Sequence, residues 1–139
     1  MIIVYAPGVW DLLHVGHVSA LKMAKGLGDR LVVGVAADSV VQEDKGRLPV
    51  IKDSDRRQMV ESLRVVALAI VYRALTFLPQ LNMFQPDVMA VPEDWGTADR
   101  HRSAEDWLRS HGRRLFKLPY YQGESTTQIV NRVRLRDGG

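Results

Sequence analysis

The chain has 139 residues, of which 46% are hydrophobic and 25% are charged, and this balance predicts one globular domain with an ordinary packed core. No apolar run approaches the roughly 18 residues that a membrane span needs, and the absence of cysteine excludes disulfides and zinc–cysteine sites and favours a cytoplasmic protein. The formal charge is +3, and because the arginines are spread along the chain without interleaved aromatic residues, it favours small phosphate-bearing partners over nucleic acid.

Short apolar runs alternate with helical patterns along the whole chain. Val- and Ile-rich runs are typical of buried parallel strands, and apolar residues spaced three and four apart are typical of helices that pack on a sheet. The first run follows Met1 without a basic leader, so it predicts a strand and not a secretion signal. Ser54 and Ser103 are predicted to be the N-caps of their helices. The predicted elements in chain order are strand 2–6, helix 16–27, strand 31–36, helix 54–63, strand 65–72, helix 75–84, strand 88–91, helix 103–110, strand 115–118 and helix 126–133.

This alternation predicts an α/β fold of the Rossmann-like, doubly wound type. Five parallel strands are covered by helices on both faces, and residues 1–139 form a single domain. Ligands of such sheets bind beyond the carboxyl ends of the strands, near the point where the strand order reverses. Functional residues are therefore expected in four loops, 7–17, 37–47, 92–100 and 119–127.

The first of these loops, from Gly8 to His17, carries the strongest functional pattern. A glycine directly after a strand lets backbone N–H groups approach a phosphate closely, and a helix start adds free donors and a partial positive charge. His14 and His17 are three residues apart, so they share one face of a helical turn. Such imidazoles suit donation to phosphate oxygens during displacement at phosphorus. Two alternatives stay open on spacing alone: ordinary structural histidines, and a metal site for which no third ligand is evident nearby.

The ten residues from Gly8 to His17 resemble the G-x-F-D-x-x-H-x-G-H signature of the HxGH cytidylyltransferase-like nucleotidyltransferases. The likeness is greatest to the glycerol-3-phosphate and ethanolamine-phosphate cytidylyltransferases, and Trp10 stands in place of the usual aromatic residue. The segment 27–35 is similar to the family's L-G-D-x-L-x-V-x-V. The resemblance implies catalytic roles for His14 and His17. It also implies that the nucleotide is bound by other residues of the same loop, namely Gly8, Val9, Trp10 and Asp11.

Several later positions match charged residues of the family. Asp38 falls where these enzymes have an acidic residue after the second strand, which implies nucleotide binding. The segment 45–47 resembles a K-G-R whose lysine reaches the triphosphate, which implies a catalytic role for Lys45; taken alone, a lysine on a mobile glycine-flanked loop is more often simply solvated. Arg56 and Arg64 match two recurring arginines, and Arg56 is the predicted acceptor- or phosphate-binding residue.

The segment 119–129 precedes the last predicted helix and resembles the family's R-T-x-G-x-S-T-T. Hydroxyl groups at a helix start supply donors together with free backbone N–H groups. Tyr120 replaces the family's arginine and is predicted to bind the acceptor. The spacing from Pro119 to Ser125 equals that of the cytidylyltransferases, which favours CTP. The resemblance implies phosphate binding by Gly123, Ser125, Thr126 and Thr127.

After the fourth predicted strand, Glu93-Asp94-Trp95 resembles the D-D-W of glycerol-3-phosphate cytidylyltransferases. This implies that Asp94 binds a cytosine amino group or a sugar hydroxyl, and that Trp95 stacks on a base or closes an acceptor pocket. Two positions depart from the family: Tyr120 removes a bidentate phosphate donor, and Ala67 stands where an aspartate is usual. The residues open to compensate for the lost arginine are Arg100, Arg102 and Arg132.

The sequence therefore predicts an enzyme that transfers CMP from CTP to a small phosphate- or phosphonate-bearing acceptor and releases pyrophosphate. Acceptors of the glycerol 3-phosphate, phosphoethanolamine and 2-hydroxyethylphosphonate type all fit. The resemblance further implies Mg²⁺ bridged through the nucleotide phosphates, CTP as co-substrate and a homodimer. Three other interpretations stay open: an adenylyltransferase acting on a sugar phosphate or FMN, a non-catalytic nucleotide-binding module, and a nucleic-acid-binding domain favoured by the basic charge.

Overall fold

A five-stranded parallel sheet with helices on both faces forms the body of the protein. The computed structural model describes residues 1–120 and 125–138. The strands are β1 (Ile3–Gly8), β2 (Arg30–Ala36), β3 (Leu68–Tyr72), β4 (Val88–Pro92) and β5 (Arg114–Leu118). The helices are α1 (Val15–Lys25), α2 (Asp38–Lys45), α3 (Asp53–Glu61), α4 (Leu78–Phe84), α5 (Asp99–Ser110) and α6 (Thr126–Gly138). No helix in the described part of the chain is both long and apolar enough to cross a membrane.

Strand β1 lies at the centre of the sheet, whose strand order is β3-β2-β1-β4-β5. All neighbours pair in parallel, and Val4 of β1 lies between Leu31 of β2 and Val88 of β4. The chain runs from β1 to one edge of the sheet and then returns to the other side of β1. The order reverses between β1 and β4, and the carboxyl ends of these strands form the crevice where ligands of such sheets bind. The predicted Rossmann-like, doubly wound fold is confirmed.

Two apolar layers cover the sheet, because successive side chains of a strand point to opposite faces. Val4 packs with Leu21 of α1 and Val60 of α3 on one face. Tyr5, the next residue, packs on the other face with Leu108 of α5. All of these side chains are almost completely buried, so the sheet is packed on both faces, with one apolar cluster on each.

Helix α2 lies where the sequence predicts only a loop over residues 37–47, so that prediction is wrong. The helix is mostly polar, and its buried residues are Val40 and Val41. Two adjacent apolar residues have no helical period, which is why the pattern did not indicate a helix. The helix carries Lys45, its last residue, to the crevice, and Gly46 then ends it in the left-handed conformation (φ 72°).

Helices α3 and α5 begin earlier than the serines that the sequence predicts as their N-caps. The Nδ1 atom of His101 accepts a hydrogen bond from the N–H of Ala98 (3.1 Å), and this bond closes the first turn of α5 ahead of Ser103. Helix α3 begins at Asp53 without a side-chain cap. Both serines that the sequence predicts as N-caps, Ser54 and Ser103, therefore lie inside their helices.

Candidate active site

The loop between β1 and α1 is held in a strained conformation at the carboxyl end of the central strand. Trp10 (φ 57°) and Leu12 (φ 50°) both adopt left-handed backbone conformations, which cost about 1–3 kcal/mol each for residues other than glycine. The indole Nε1 of Trp10 donates to the carbonyl of Gly34 in β2 (3.0 Å). A Cβ atom at Gly8 would lie only 2.8 Å from the indole, so Gly8 is needed for this close approach. The hydrogen bond fixes the loop, and a phenylalanine at this position would lack the donor.

His14 and His17 lie side by side at the start of α1, with ring centroids 3.8 Å apart. The Nδ1 atom of His14 accepts a hydrogen bond from the N–H of Gly16 (3.0 Å), and Nδ1 of His17 accepts from the N–H of His14 (3.2 Å). The two imidazoles therefore form a reciprocal capping arrangement, with His14 as the N-cap residue. Both rings are held in place by the backbone of the helix that they cap.

These hydrogen bonds determine which nitrogen of each imidazole carries the proton. A backbone N–H can only donate, so both Nδ1 atoms are unprotonated and a neutral ring carries its proton on Nε2. Burial, followed by repulsion from a proton on His14, lowers the pKa of His17 to about 4, against a raising effect of Asp11. His17 is therefore neutral near pH 7 and can donate through Nε2 to an anion.

The start of α6 meets this first loop across the crevice. The hydroxyl of Thr126 donates to the main-chain carbonyl of Asp11 (3.0 Å). The hydroxyl of Ser125 accepts from the N–H of Gln128 (3.1 Å) and so caps the helix. Two helix N-termini, each with a partial positive charge, thus open on the same space.

A cavity of about 720 Å³, here called the large cavity, lies between these two helix starts. Its volume is in the usual range for small-molecule sites. Gly123, predicted to bind phosphate, lies outside the described residues. The large cavity is lined by most of the predicted site residues, namely Gly8, Val9, Trp10, Asp11, His14, His17, Lys45, Asp94, Tyr120, Ser125, Thr126 and Thr127.

A segment of residues 46–51, here called the strap, continues the wall of the large cavity beyond Lys45. The carboxylate of Asp11 accepts hydrogen bonds from the N–H groups of Val50 (2.7 Å) and Ile51 (2.9 Å). The side chain of Asp11 therefore ties the strap to the first loop.

The strap also brings a second basic side chain, Arg47, to the cavity beside Lys45. Both residues are exposed, so both can reach an anion in the cavity. The sequence assigned no role to Arg47, although it belongs to the K-G-R resemblance. That resemblance could have identified Arg47 as a residue of the site.

Arg56 does not face the cavity, contrary to its predicted acceptor-binding role. Its fully buried side chain donates to the carbonyls of Val9 and Ile51 and to the carboxylate of Asp38, each at 2.7 Å. Carbonyls in tight loops need donors, and a guanidinium supplies several in a fixed geometry. Arg56 thus links the first loop, the strap and the start of α2 through these hydrogen bonds, without lining the cavity. Asp38, predicted to bind nucleotide, is engaged in this arrangement and does not line the large cavity.

A second cavity of about 160 Å³, here called the small cavity, adjoins the large one and shares Gly8, Val9 and Asp94 with it. Trp95 lines the small cavity and not the large one, and its indole N–H donates to the carboxylate of Glu105 (3.1 Å). No sequence pattern indicates most of this wall, because its residues lie on separate elements. The principal side chains are Asp44, Tyr72, Phe77, Trp95, Arg100 and His101.

Tyr120 and Asp94 connect the ends of β5 and β4 beside the large cavity. A hydrogen bond between the Tyr120 hydroxyl and the Asp94 carboxylate, followed by burial, raises the pKa of Tyr120 to about 12. The N–H of Tyr120 donates to the carboxylate of Glu93 (3.1 Å). The position of the family's arginine therefore holds a neutral phenol that contacts an acidic side chain.

The described residues of this site offer no cluster of metal-ligating side chains. Residues 1–120 and 125–138 contain no group of three or more His, Asp or Glu side chains placed to hold a metal ion. The Nδ1 atoms of His14 and His17 accept backbone hydrogen bonds. The arrangement of the two histidines suits donation to an anion.

Comparison with known proteins assigns the chain to a family. The family model described as cytidylyltransferase-like matches residues 5–132. The chain belongs to the cytidylyltransferase-like family. The match includes the first-loop histidines and the start of α6, so the resemblance inferred from the HxGH segment is confirmed. Membership of this family supports the expectation of an enzyme of the nucleotidyltransferase class.

Individual relatives carry several names. The chain is 36% identical over 132 residues to the FAD synthase of Pyrococcus abyssi, covering 91% of this chain and 88% of that protein. It is 35% identical over 132 residues to the bifunctional protein HldE of Magnetococcus marinus, covering 94% of this chain but only 27% of HldE. A solved structure, the lipopolysaccharide core biosynthesis protein from Thermoplasma volcanium, is similar with a TM-score of 0.73 and 29% identity, covering 89% of this chain and 99% of that one.

Proposed function

We propose that this protein transfers a nucleoside monophosphate from an NTP to a small phosphate- or phosphonate-bearing acceptor and releases pyrophosphate. The observation that carries the proposal is the convergence of His14, His17 and the Ser125–Thr127 turn on the large cavity. Lys45 lines the same cavity. These groups supply neutral donors, helix N-termini and positive charge to one space, as a triphosphate requires.

In the proposed reaction, an oxygen of the acceptor's phosphate attacks the α-phosphorus opposite the bond to the β-phosphate. A new O–P bond forms, the α–β bridging bond breaks, and pyrophosphate leaves with the bonding electron pair. The attacking oxygen is already anionic near pH 7, so no general base is needed. Catalysis then rests on positioning and on stabilising charge at the phosphate oxygens.

The roles of the individual side chains follow from their hydrogen bonds. His14 and His17 donate through Nε2 to the phosphate oxygens as negative charge builds. The Ser125 oxygen accepts from a backbone N–H, so its own proton is available to donate. Lys45 stabilises charge on the leaving pyrophosphate. The predicted Mg²⁺ would be held mainly by the triphosphate and would neutralise part of its charge, a binding mode that needs few protein carboxylates.

CTP is the proposed NTP, and ATP is the second candidate. The spacing from Pro119 to Ser125 favours CTP through the family resemblance. The relative named FAD synthase favours ATP, because FAD contains an adenylyl group. A thermal-shift comparison of CTP with ATP separates the two, since a ligand that binds the native state raises its melting temperature.

Pyrophosphate release from CTP or ATP in the presence of candidate acceptors tests the proposal. His17→Ala is expected to lower kcat by about 10²- to 10³-fold, because one donor aimed at a developing oxyanion contributes about 2.7–4 kcal/mol. His111→Ala is the matched control, since His111 lines neither cavity, and should keep the wild-type rate. Equal rates for wild type and His17→Ala would remove the role assigned to this histidine. Nucleotide binding without turnover for any acceptor would favour the non-catalytic module.

Three further expectations from the sequence belong to this proposal. They are a single catalytic domain over residues 1–139, a homodimer and a cytoplasmic location. Light scattering coupled to size-exclusion chromatography tests the homodimer, for which the measured mass should be about twice that of one chain.

A further inference from the structure

Trp10 has a role in the site beyond lining the large cavity. We propose that Trp10 is a positioning residue for His17: its indole, hydrogen-bonded to β2, holds the imidazole in the orientation that donates to a phosphate. This inference rests on the proposed function, because it names what orients the donor that the reaction uses. It assigns Trp10 a role in the rate of turnover and not in the affinity for the nucleotide.

The rings of Trp10 and His17 are in direct contact. They meet edge-to-face, with centroids 5.5 Å apart and planes inclined by 70°. Aromatic pairs prefer this geometry, because the positive edge of one ring faces the negative face of the other. The ring of His14 stacks on His17 with centroids 3.8 Å apart. His17 therefore contacts two rings, and both restrict the rotation of its imidazole.

The indole of Trp10 is itself held at two points. Its Nε1 donates to the carbonyl of Gly34 (3.0 Å), and its carbons pack closely against Gly8, where a Cβ atom would lie 2.8 Å from Cε2. Gly34 belongs to β2, an inner strand that pairs on both sides, so the accepting carbonyl is part of the rigid sheet. The sheet thus fixes the indole, and the indole passes this fixed orientation on to His17.

The backbone of Trp10 indicates that this hydrogen bond is needed. Its φ of 57° lies in the left-handed region, which large side chains rarely adopt. Such a conformation persists only where the surrounding contacts hold it. A phenylalanine would keep an aromatic ring but lose the bond to Gly34, so the strained loop would relax. The imidazole of His17 would then lose part of its support.

The surroundings of His17 provide a way to detect this support in the free protein. Burial is the main cause that lowers the pKa of His17 to about 4. Two titratable groups also act on the ring: His14 lowers its pKa and Asp11 raises it. Trp10 packs against the imidazole and so keeps water from part of it. The pKa of His17 therefore reports whether the indole is in place, with no nucleotide bound.

A second tryptophan provides a matched control. Trp107 of α5 is 8% exposed, and its Nε1 donates to Oδ1 of Asn82 (2.9 Å), a hydrogen bond similar in length to that of Trp10. Trp107 lines neither cavity. Trp107→Phe therefore removes an indole hydrogen bond without changing the first loop. It measures what the loss of such a bond does to stability alone.

NMR titration of the histidine rings in the nucleotide-free protein tests the inference. The signals of His17, one of four histidines, are identified by their loss in His17→Gln. Trp10→Phe should raise the pKa of His17 from about 4 toward 6.5, whereas Trp107→Phe should leave it unchanged. Gly8→Ala keeps the indole but displaces it, and should raise the pKa of His17 as well. Melting temperatures identify the variants that fold.

Pyrophosphate release tests the role of Trp10 in turnover. Trp10→Phe should lower kcat about tenfold and keep the KM of the NTP within about twofold, because it misplaces a donor without removing one. Trp107→Phe should keep both constants.

Two results overturn the inference. One is a pKa of His17 that stays near 4 in both Trp10→Phe and Gly8→Ala. The other is a raised KM of the NTP with constant kcat in Trp10→Phe, since Trp10 would then bind the nucleotide directly. Absence of turnover in wild type overturns the proposed function instead, while the NMR titration still decides whether Trp10 positions His17.

Discussion

The two cavities of this protein are built in different ways. The large cavity consists mainly of helix starts and of side chains held by backbone hydrogen bonds, such as His14 and His17. The small cavity consists of side chains from separate segments and one ion pair between α2 and α5. A wall that depends on the backbone cannot change without disturbing the fold, whereas a wall of side chains changes with single substitutions. In this architecture the fold itself determines the large cavity, whereas side chains alone determine most of the small one.

The largest expected effect comes from removing the buried side chain of Arg56, which holds together the loops around the large cavity. Arg56→Ala should lower the free energy of unfolding by about 3 kcal/mol, because it breaks a buried ion pair and leaves two loop carbonyls without their donor. Urea denaturation measures this loss. Arg64→Ala, which changes an exposed arginine, should stay within about 0.5 kcal/mol of wild type. A similarly small effect for Arg56→Ala would show that the hydrogen bonds of Arg56 do not stabilise the loops around the large cavity.

A smaller effect is expected from two glycines with the same backbone conformation. Gly46 (φ 72°) and Gly112 (φ 66°) are left-handed, and open space surrounds the place where each Cβ would lie. Alanine at either position should cost about 1–2 kcal/mol of stability through the backbone alone. Gly46 joins Lys45 to the strap, so only Gly46→Ala should also raise the KM of the NTP, by a few-fold. If Gly46→Ala and Gly112→Ala had the same KM for the NTP, the strap would have no role in nucleotide binding.

The last expected effect is a dependence of stability on pH that arises from the large cavity and appears only in acid. The pKa of His17 is about 4 in the folded protein against 6.5 for an unperturbed histidine. Between these values the unfolded chain binds more protons than the folded one, so the free energy of unfolding falls as the pH drops through this interval. Urea denaturation across the interval measures the slope. His17→Gln should have a shallower slope, and an unchanged slope would contradict the assignment to this imidazole.

Elements with a distinct apolar run or helical period of their own were predictable from sequence. The apolar run 31–36 predicted β2, which the structure extends by one residue to Arg30. Helix α2 was not predictable, because Val40 and Val41 are adjacent and give no helical period. The limits of α3 and α5 were missed because the predicted N-cap serines lie inside those helices. Local patterns thus indicate the kind of element better than its ends.

The large cavity was predictable because its histidines and its helix-start hydroxyls belong to two contiguous segments that follow strands, Gly8–His17 and Ser125–Thr127. Parallel topology brings such ends together. Arg56 was misassigned because a sequence shows a charge without showing the carbonyls that bury it. The small cavity was largely missed because residues such as Tyr72 and His101 have no fixed spacing, and only packing brings them together.

The hydrogen bond from Thr126 to Asp11 joins residues 115 positions apart in the chain. The crevice is therefore closed only when the segment after β5 has folded back onto the loop after β1, so the site depends on one contact that spans most of the chain.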